Sequence, residues 1–370
     1  MKIVIGSLCL VLCLSLPAGA TAPRKEKIKV AFIAGFTGSD PNTALEMWRA
    51  LGLALQSSNN FEISRYDDKG DAGQTAHLTQ EALAQGTQVV VGLPNSDQAL
   101  VAAKLMTGRN ALMITAYATN PNISKQGNNI LQIAFSDDYQ GELLAGVVKT
   151  HLHAQKILVL TNVESIYSIG LSGSFKKALQ RDDPNLPMAE LIYTKQDLKL
   201  SDLGNMIRAF QPDVIFIPDH ILRASVLIKK AHEVDAKVRF LGGDGLDGRR
   251  IFQDVFKSSR DIDLYYTAHW HEGLPFAANK KFVRQYKAKF QSSPPASAAL
   301  MWDATQLLIE TARHMHSPFQ AAEWSAYIHS RVFQSTMGPL DLRTPGKPPI
   351  KSAVLVGLKG GQYDYLKQVQ

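Results

Sequence analysis

The sequence predicts an α/β protein of two doubly wound lobes, each a mostly parallel sheet covered by helices. Three observations carry this. From residue 28 onward, short β-branched or apolar runs alternate with helical stretches of ten to fifteen residues. Runs such as 88-QVVVGL-93 and 213-DVIFIP-218 are continuously hydrophobic rather than alternating. That pattern means burial on both faces, and so parallel strands beneath helices. Finally, about ten such runs are too many for one open sheet over a single core.

The strands are expected at 28–35, 61–67, 88–93, 111–115, 129–135, 156–162, 189–194, 213–218, 237–243 and 262–268. Helices near 43–57, 73–85, 96–108, 138–152, 169–181, 201–210, 222–234 and 248–257 fill the intervals. Longer helical patterns follow at 275–291 and 296–316, and the tail closes with extended runs at 351–358 and 362–369. No Gly/Ser-rich or Pro-rich linker separates the halves, so the chain is expected to pass between lobes several times through short strand extensions. One strand end stands out. The run 112-LMITAYAT-119 passes from buried-strand residues into small and hydroxylated ones before 120-NPN-122. Ligands of such sheets gather beyond the carboxyl ends of the strands, where helix N-termini and loop polar groups collect.

The first 22 residues read as a secretory signal. Lys2 precedes the apolar core 3-IVIGSLCLVLCLSL-16, and 17-PAGATA-22 offers cleavage after Ala20 or Ala22. That core is too short and wrongly flanked for a membrane span. Cys9 and Cys13 each follow Leu, so no lipoprotein signal is present, and the exported chain is expected to carry no cysteine. Roughly 350 residues in two domains bury enough core to dispense with disulfides. The net charge of +7 is spread along the chain, with 24-RKEKIK-29 and 280-KKFVRQYKAK-289 as its densest clusters. The second has helical spacing and reads as a solvated helix face, so no nucleic-acid partner is expected.

Several motifs fall short of chemistry. The run 243-GDGLDG-248 is a literal G-x-G-x-x-G. A dinucleotide site would need an acid closing the following strand, whereas here Asp261 and Asp263 open it. A tight turn setting Asp244 at a cleft fits better. The run 170-GLSGS-174 lacks the second glycine of a nucleophile elbow. The pairs His151/His153 and His314/His316 diverge on a helix, and His269 and His271 flank Trp270 past a strand. Surface or interlobe histidines are therefore expected, with no metal and no cofactor. Asn122-Ile-Ser124 matches a glycosylation acceptor by pattern alone. A binding reading draws its residues together. Ser96 opens the third helix, where its hydroxyl and the helix dipole suit a carboxylate. Thr119 lies past the next strand, and Asp244 follows a strand of the second half, suited to an ammonium. An anion-binding edge facing a carboxylate across a cleft would suit a zwitterion.

At this point the chain resembles a known family, the type I periplasmic solute-binding proteins of the branched-chain amino acid class. Its landmarks run in order over the exported chain: 28-IKVAFIAGFTG-38, 66-YDDKGD-71, 112-LMITAYAT-119, 137-DDYQG-141, 213-DVIFIPDH-220, 240-FLGGDG-245, 282-FVRQYKAKF-290, 302-WDA-304 and 336-TMGPLDL-342. The resemblance implies two lobes joined by a three-stranded hinge, a small-molecule ligand, a membrane permease as partner, a periplasmic location, a monomer and no enzymatic activity. By position it places the carboxylate-gripping serine on Ser96 and a main-chain ammonium contact on Tyr117. It places a two-way threonine on Thr119, a covering aromatic on Tyr167 and the acidic ammonium partner on Asp244.

Two departures bear on specificity. His220, beside Asp219, stands where leucine-type binders carry tyrosine, and the loop 36-FTGSDPNTALEMW-48 keeps no tyrosine at the matching turn. The family's N-terminal disulfide is absent too, with Asn95 at one of its positions. A polar, aromatic or non-amino-acid ligand is thus an open alternative, as is a sensory subunit of the same fold. The expected lobes are 23–136 plus 266–336 and 137–265 plus 337–370, crossing near 136, 266 and 337.

Overall fold

The computed structural model describes residues 26–38, 40–194, 197, 199–247, 261–315, 318–359 and 362–369. The proposed signal segment and the helix expected at 248–257 lie outside the described residues.

The first sheet contains β1 (Ile28–Ala34), β2 (Phe61–Asp67), β3 (Val89–Gly92), β4 (Leu112–Thr115) and β5 (Ile130–Gln132). All are parallel, in the order β2-β1-β3-β4-β5. The second takes β6 (Ile157–Asn162), β7 (Met188–Tyr193), β8 (Val214–Ile217), β9 (Arg239–Gly242) and β10 (Leu264–Ala268). A ribbon pairs β11 (Val332–Ser335) with β12 (Gly338–Asp341). The tail strands β13 (Ala353–Lys359) and β14 (Gln362–Val369) then join the second sheet antiparallel, giving the order β14-β13-β10-β9-β8-β6-β7. Every residue of β3, β4 and β8 is buried, as continuous apolar runs between two helical layers require. The expected α/β class of two parallel-sheet lobes is what the chain adopts.

The helices on the first sheet are α1 (Pro41–Leu55), α2 (Ala72–Ala84) and α3 (Ser96–Met106). Those on the second are α4 (Asp137–Val147), α5 (Ile166–Asp182), α6 (Leu200–Phe210) and α7 (Ile221–Val234). Local chemistry sets several starts. The side chains of Asp40, Asp71, Ser136 and Ser165 each accept the backbone N–H three residues on, satisfying donors that have no intrahelical partner. The chain then returns to the first sheet's side with α8 (Ala277–Phe290), α9 (Ala296–His314) and α10 (Ala321–Ile328). Asn110, just before β4, accepts the Ala321 N–H at 2.8 Å, and the Ser325 hydroxyl donates to the Asn128 carbonyl at 2.6 Å.

The passages between sheets lie side by side. The first leaves β5 and reaches α4, and the second starts at His269, because β10 runs in register with β13 as far as Ala268. The third follows the ribbon, since residue 337 sits in its turn. The crossings are expected near 266 and 337; β10 stays paired as far as Ala268, and residue 337 lies in the turn of the ribbon. Lys351, buried in the third, ties them together. Its Nζ donates to the Ile133 carbonyl at 2.7 Å and meets Met337 Sδ at 3.0 Å. Burial pulls this amine down to about 7, against the opposing charge of Asp303. The Phe135 ring packs on His269 with centroids 3.9 Å apart.

Candidate functional site

The first-lobe wall is built at the ends of β3 and β4. Thr115 ends β4 and donates its hydroxyl to the Leu93 carbonyl at 2.9 Å. Beyond it the chain turns, and Gln132 on β5 holds the turn by donating to the carbonyls of Ala118 and Asn120, each at 3.1 Å. Asn95 is the N-cap of α3 and Ser96 its first residue. The Ser96 hydroxyl is buried and accepts the Asn120 N–H at 3.2 Å. The Thr119 carbonyl accepts the Asp137 N–H at 2.9 Å, coupling this wall to the start of α4.

The second-lobe wall centres on Asp244, one residue past the Gly243 that follows β9 and 4 % exposed. Its Oδ1 accepts from Gln140 Nε2 at 2.9 Å and from the Tyr167 hydroxyl at 3.1 Å. Its Oδ2 faces His269 Nε2 at 3.2 Å. The Tyr167 hydroxyl in turn accepts the Gly245 N–H at 3.0 Å. His220 is exposed at the head of α7 and stacks on Tyr167, centroids 5.2 Å apart. Asp219 underpins it. That carboxylate accepts the His220 N–H at 2.7 Å and the hydroxyl of Tyr193, with Asn162 at 3.2 Å.

The walls touch. The Tyr117 hydroxyl reaches across to the Asp244 carbonyl at 3.4 Å, and Asp97 Oδ1 accepts the Ile166 N–H at 3.2 Å at the start of α5. Tyr117, Tyr167, His220 and Asp244 thus form one contact chain. Ser96 and Thr119 lie on the first-lobe wall with Tyr117, and Thr119 adjoins Asp137. Among the described residues, no group of His, Cys, Asp and Glu suits a metal ion.

Three members of the cluster are absent from the residues picked out by sequence. Gln140 and Asp137 sit in 137-DDYQG-141, legible only as a landmark, and His269 passed as one of several histidines. Their electrostatics differ sharply. Burial would raise the Asp244 carboxyl, but the hydrogen bonds from His269, Gln140 and Tyr167 hold it below its usual value, while burial pulls His269 itself down and favours the neutral imidazole. Burial pushes Asp137 well up, and the nearby charges of Asp244 and Asp138 add to that. The Thr119 hydroxyl lies alongside it without making a well-formed hydrogen bond. Burial raises the hydroxyls of Tyr117 and Tyr167 well above 10.0, so both stay neutral donors.

The raised Asp137 has a consequence for stability. A carboxyl whose folded value exceeds its unfolded 3.8 contributes most at low pH, and that contribution is lost as pH rises through the folded value. Asp137→Asn is therefore expected to flatten the fall of stability as pH rises above the unfolded carboxyl value of 3.8. Part of the slope will remain, because burial also lifts Asp247 and Asp303 to about 7. Thermal melts of both proteins across that range decide it, and identical slopes would exclude Asp137 as a source.

Two sheet lobes joined by three adjacent passages and closed over a buried polar cluster make this a bilobal α/β protein with its polar residues gathered between the lobes. A family model described as periplasmic binding protein matches residues 27–362, and the chain belongs to that family. Its relatives are binding proteins and not enzymes. It is 23 % identical over 308 residues to a Leu/Ile/Val-binding protein of Escherichia coli K12, covering 83 % of this chain and 80 % of that one. A 27 % match to the Leu/Ile/Val-binding protein BraC3 of Rhizobium johnstonii spans half the length of each chain. In fold, it is similar to a leucine binding protein from Thermotoga maritima MSB8 (TM-score 0.86, 23 % identity, 93 % and 99 % of the two chains). It is also similar to a solute binding protein of an ABC transporter from R. palustris in complex with benzoate (TM-score 0.79, 20 % identity, 92 % and 96 %).

Proposed function

We propose that this chain is the periplasmic receptor of an ABC importer, capturing a small carboxylate-bearing solute, an amino acid or relative, between its lobes. The observation that carries the reading is the meeting of Tyr117 from one lobe and Tyr167 from the other on a single buried residue, Asp244. Ser96, at the positive end of α3, and Thr119 receive the carboxylate, while Tyr167, His220 and Asp244 face the solute's other end. Closure is favoured because the solute touches both walls only when they approach, and an open form gains nothing from the second wall. The lobes comprise residues up to about 136 with the α8–α10 segment, and α4 to β10 with the tail strands. A membrane permease takes the closed monomer. Amino-acid binders and a benzoate binder stand side by side among the relatives and neighbours, so the carboxylate is the shared feature of the candidate solutes.

The test is a thermal-shift screen of the signal-free protein against amino acids and small aliphatic and aromatic carboxylates. A ligand present at 100 times its Kd stabilises the folded state by about 2.7 kcal/mol and raises Tm by several degrees. Absence of any shift across the panel would refute the reading.

A further inference from the structure

We propose that His269 determines the class of solute the cleft accepts: it covers the acidic end from inside, so the ligands are small carboxylates that carry no amine. The inference rests on the cleft being the solute site and narrows what that site takes.

The argument starts from what a carboxylate can accept. Its two oxygens offer about four lone-pair positions. At Asp244, Gln140 and Tyr167 fill the two positions of Oδ1, at 2.9 and 3.1 Å, and His269 takes one of the two at Oδ2, at 3.2 Å. Pairing with an ionised oxygen assigns the imidazole proton to Nε2. His269 is fully buried and cannot readily swing aside. Phe135 lies 3.9 Å from its ring centroid on one flank, and Tyr117 lies edge-on at 5.3 Å. Tyr117 also donates to the carbonyl of Asp244, closing the approach from the first lobe.

An ammonium entering this cleft would lose its hydration, and it keeps a buried place only if a carboxylate pairs with it. Here the acid that would do so is engaged by three side chains of the protein, and burial works against a full charge on the neighbouring Asp137. A solute lacking the amine leaves those bonds intact. Its single charge is received at the other wall, by Ser96 and the start of α3. The shortness of Asp244, one methylene less than glutamate, fits the same picture: the carboxyl is drawn back among its own partners.

The experiment is calorimetry on the signal-free protein with two matched pairs, L-leucine against 4-methylpentanoate and L-phenylalanine against 3-phenylpropanoate. In each pair the skeletons are the same and only the amine differs. The expected result is that at least one deaminated acid binds at least about tenfold tighter than its amino acid. His269→Ala frees Oδ2 of Asp244 and should shrink or reverse that ratio. His269→Gln keeps a neutral donor there and should preserve it. An amino acid binding the wild type as tightly as its deaminated twin or tighter overturns the proposal while leaving the receptor reading in place. So does a ratio that His269→Ala fails to change. Binding by none of the four compounds, with no shift across the wider carboxylate panel, overturns the receptor reading and this inference together. The wild-type comparison stands even if His269→Ala fails to fold.

Discussion

Asp244→Ala is expected to abolish useful capture of the solute while both lobes remain folded. The residue does not merely line the cleft. It is the acceptor on which Gln140, Tyr167 and His269 converge, and these come from α4, α5 and the passage after β10. Removing it leaves three buried donors without an acceptor and lets the aromatic wall of Tyr167 drift. Truncating one member of a buried, charge-assisted network typically costs about 2–5 kcal/mol. That is about a 30-fold to several-thousand-fold loss of affinity. The sheets keep their own hydrophobic layers, and β9 and β10 remain paired through Phe240 and Leu264, so a cooperative melt should survive at lower temperature. Calorimetry with the solute found by the panel decides the matter. An unchanged affinity would remove Asp244 from the site, whatever its effect on Tm.

The sequence carries the scaffold more openly than the site. Each of the ten expected strands is present within a few residues, because runs such as 214-VIFI-217 owe their burial to their own composition. The expected helix at 138–152 is present, its last turn widening at Val148–Leu152. The segment that escaped prediction is short and mixed. The ribbon strands 332-VFQS-335 and 338-GPLD-341 have four residues each, and α10 has eight, too few for a periodic signal to rise above its neighbours. In the site, Ser96, Thr119 and Asp244 are legible because position after a strand is a local property. The partnership of Asp244 with His269 joins residues 25 apart, from a turn and from a strand exit, and nothing local encodes it. The bond from Ile166 to Asp97 spans 69 residues and exists only because the lobes meet.

Gly243→Ala should produce the second large effect, and here the cause is steric alone. Gly243 has φ −93° and ψ −166°, extended backbone open to any residue. A Cβ at this position, however, would lie 2.6 Å from the Tyr167 hydroxyl and 2.5 Å from Leu171 Cδ2, with Gln140 Oε1 crowding it as well. Tyr167 and Gln140 are the two donors to Oδ1 of Asp244, so making space for a methyl group loosens that pair along with Leu171. Overpacking of this kind costs about 1–3 kcal/mol. A domain of this size should show it as a drop in Tm of a few degrees, whereas affinity should fall by about tenfold or more as the second wall loses its alignment. A double-mutant cycle separates the clash from a general loss of stability. Tyr167→Phe removes the hydroxyl against which the new methyl presses, so Gly243→Ala should cost less in that background than in the wild type, with a coupling of about 0.5–3 kcal/mol. Strictly additive losses in Tm and affinity would mean that the glycine is required for something other than the close approach of Tyr167.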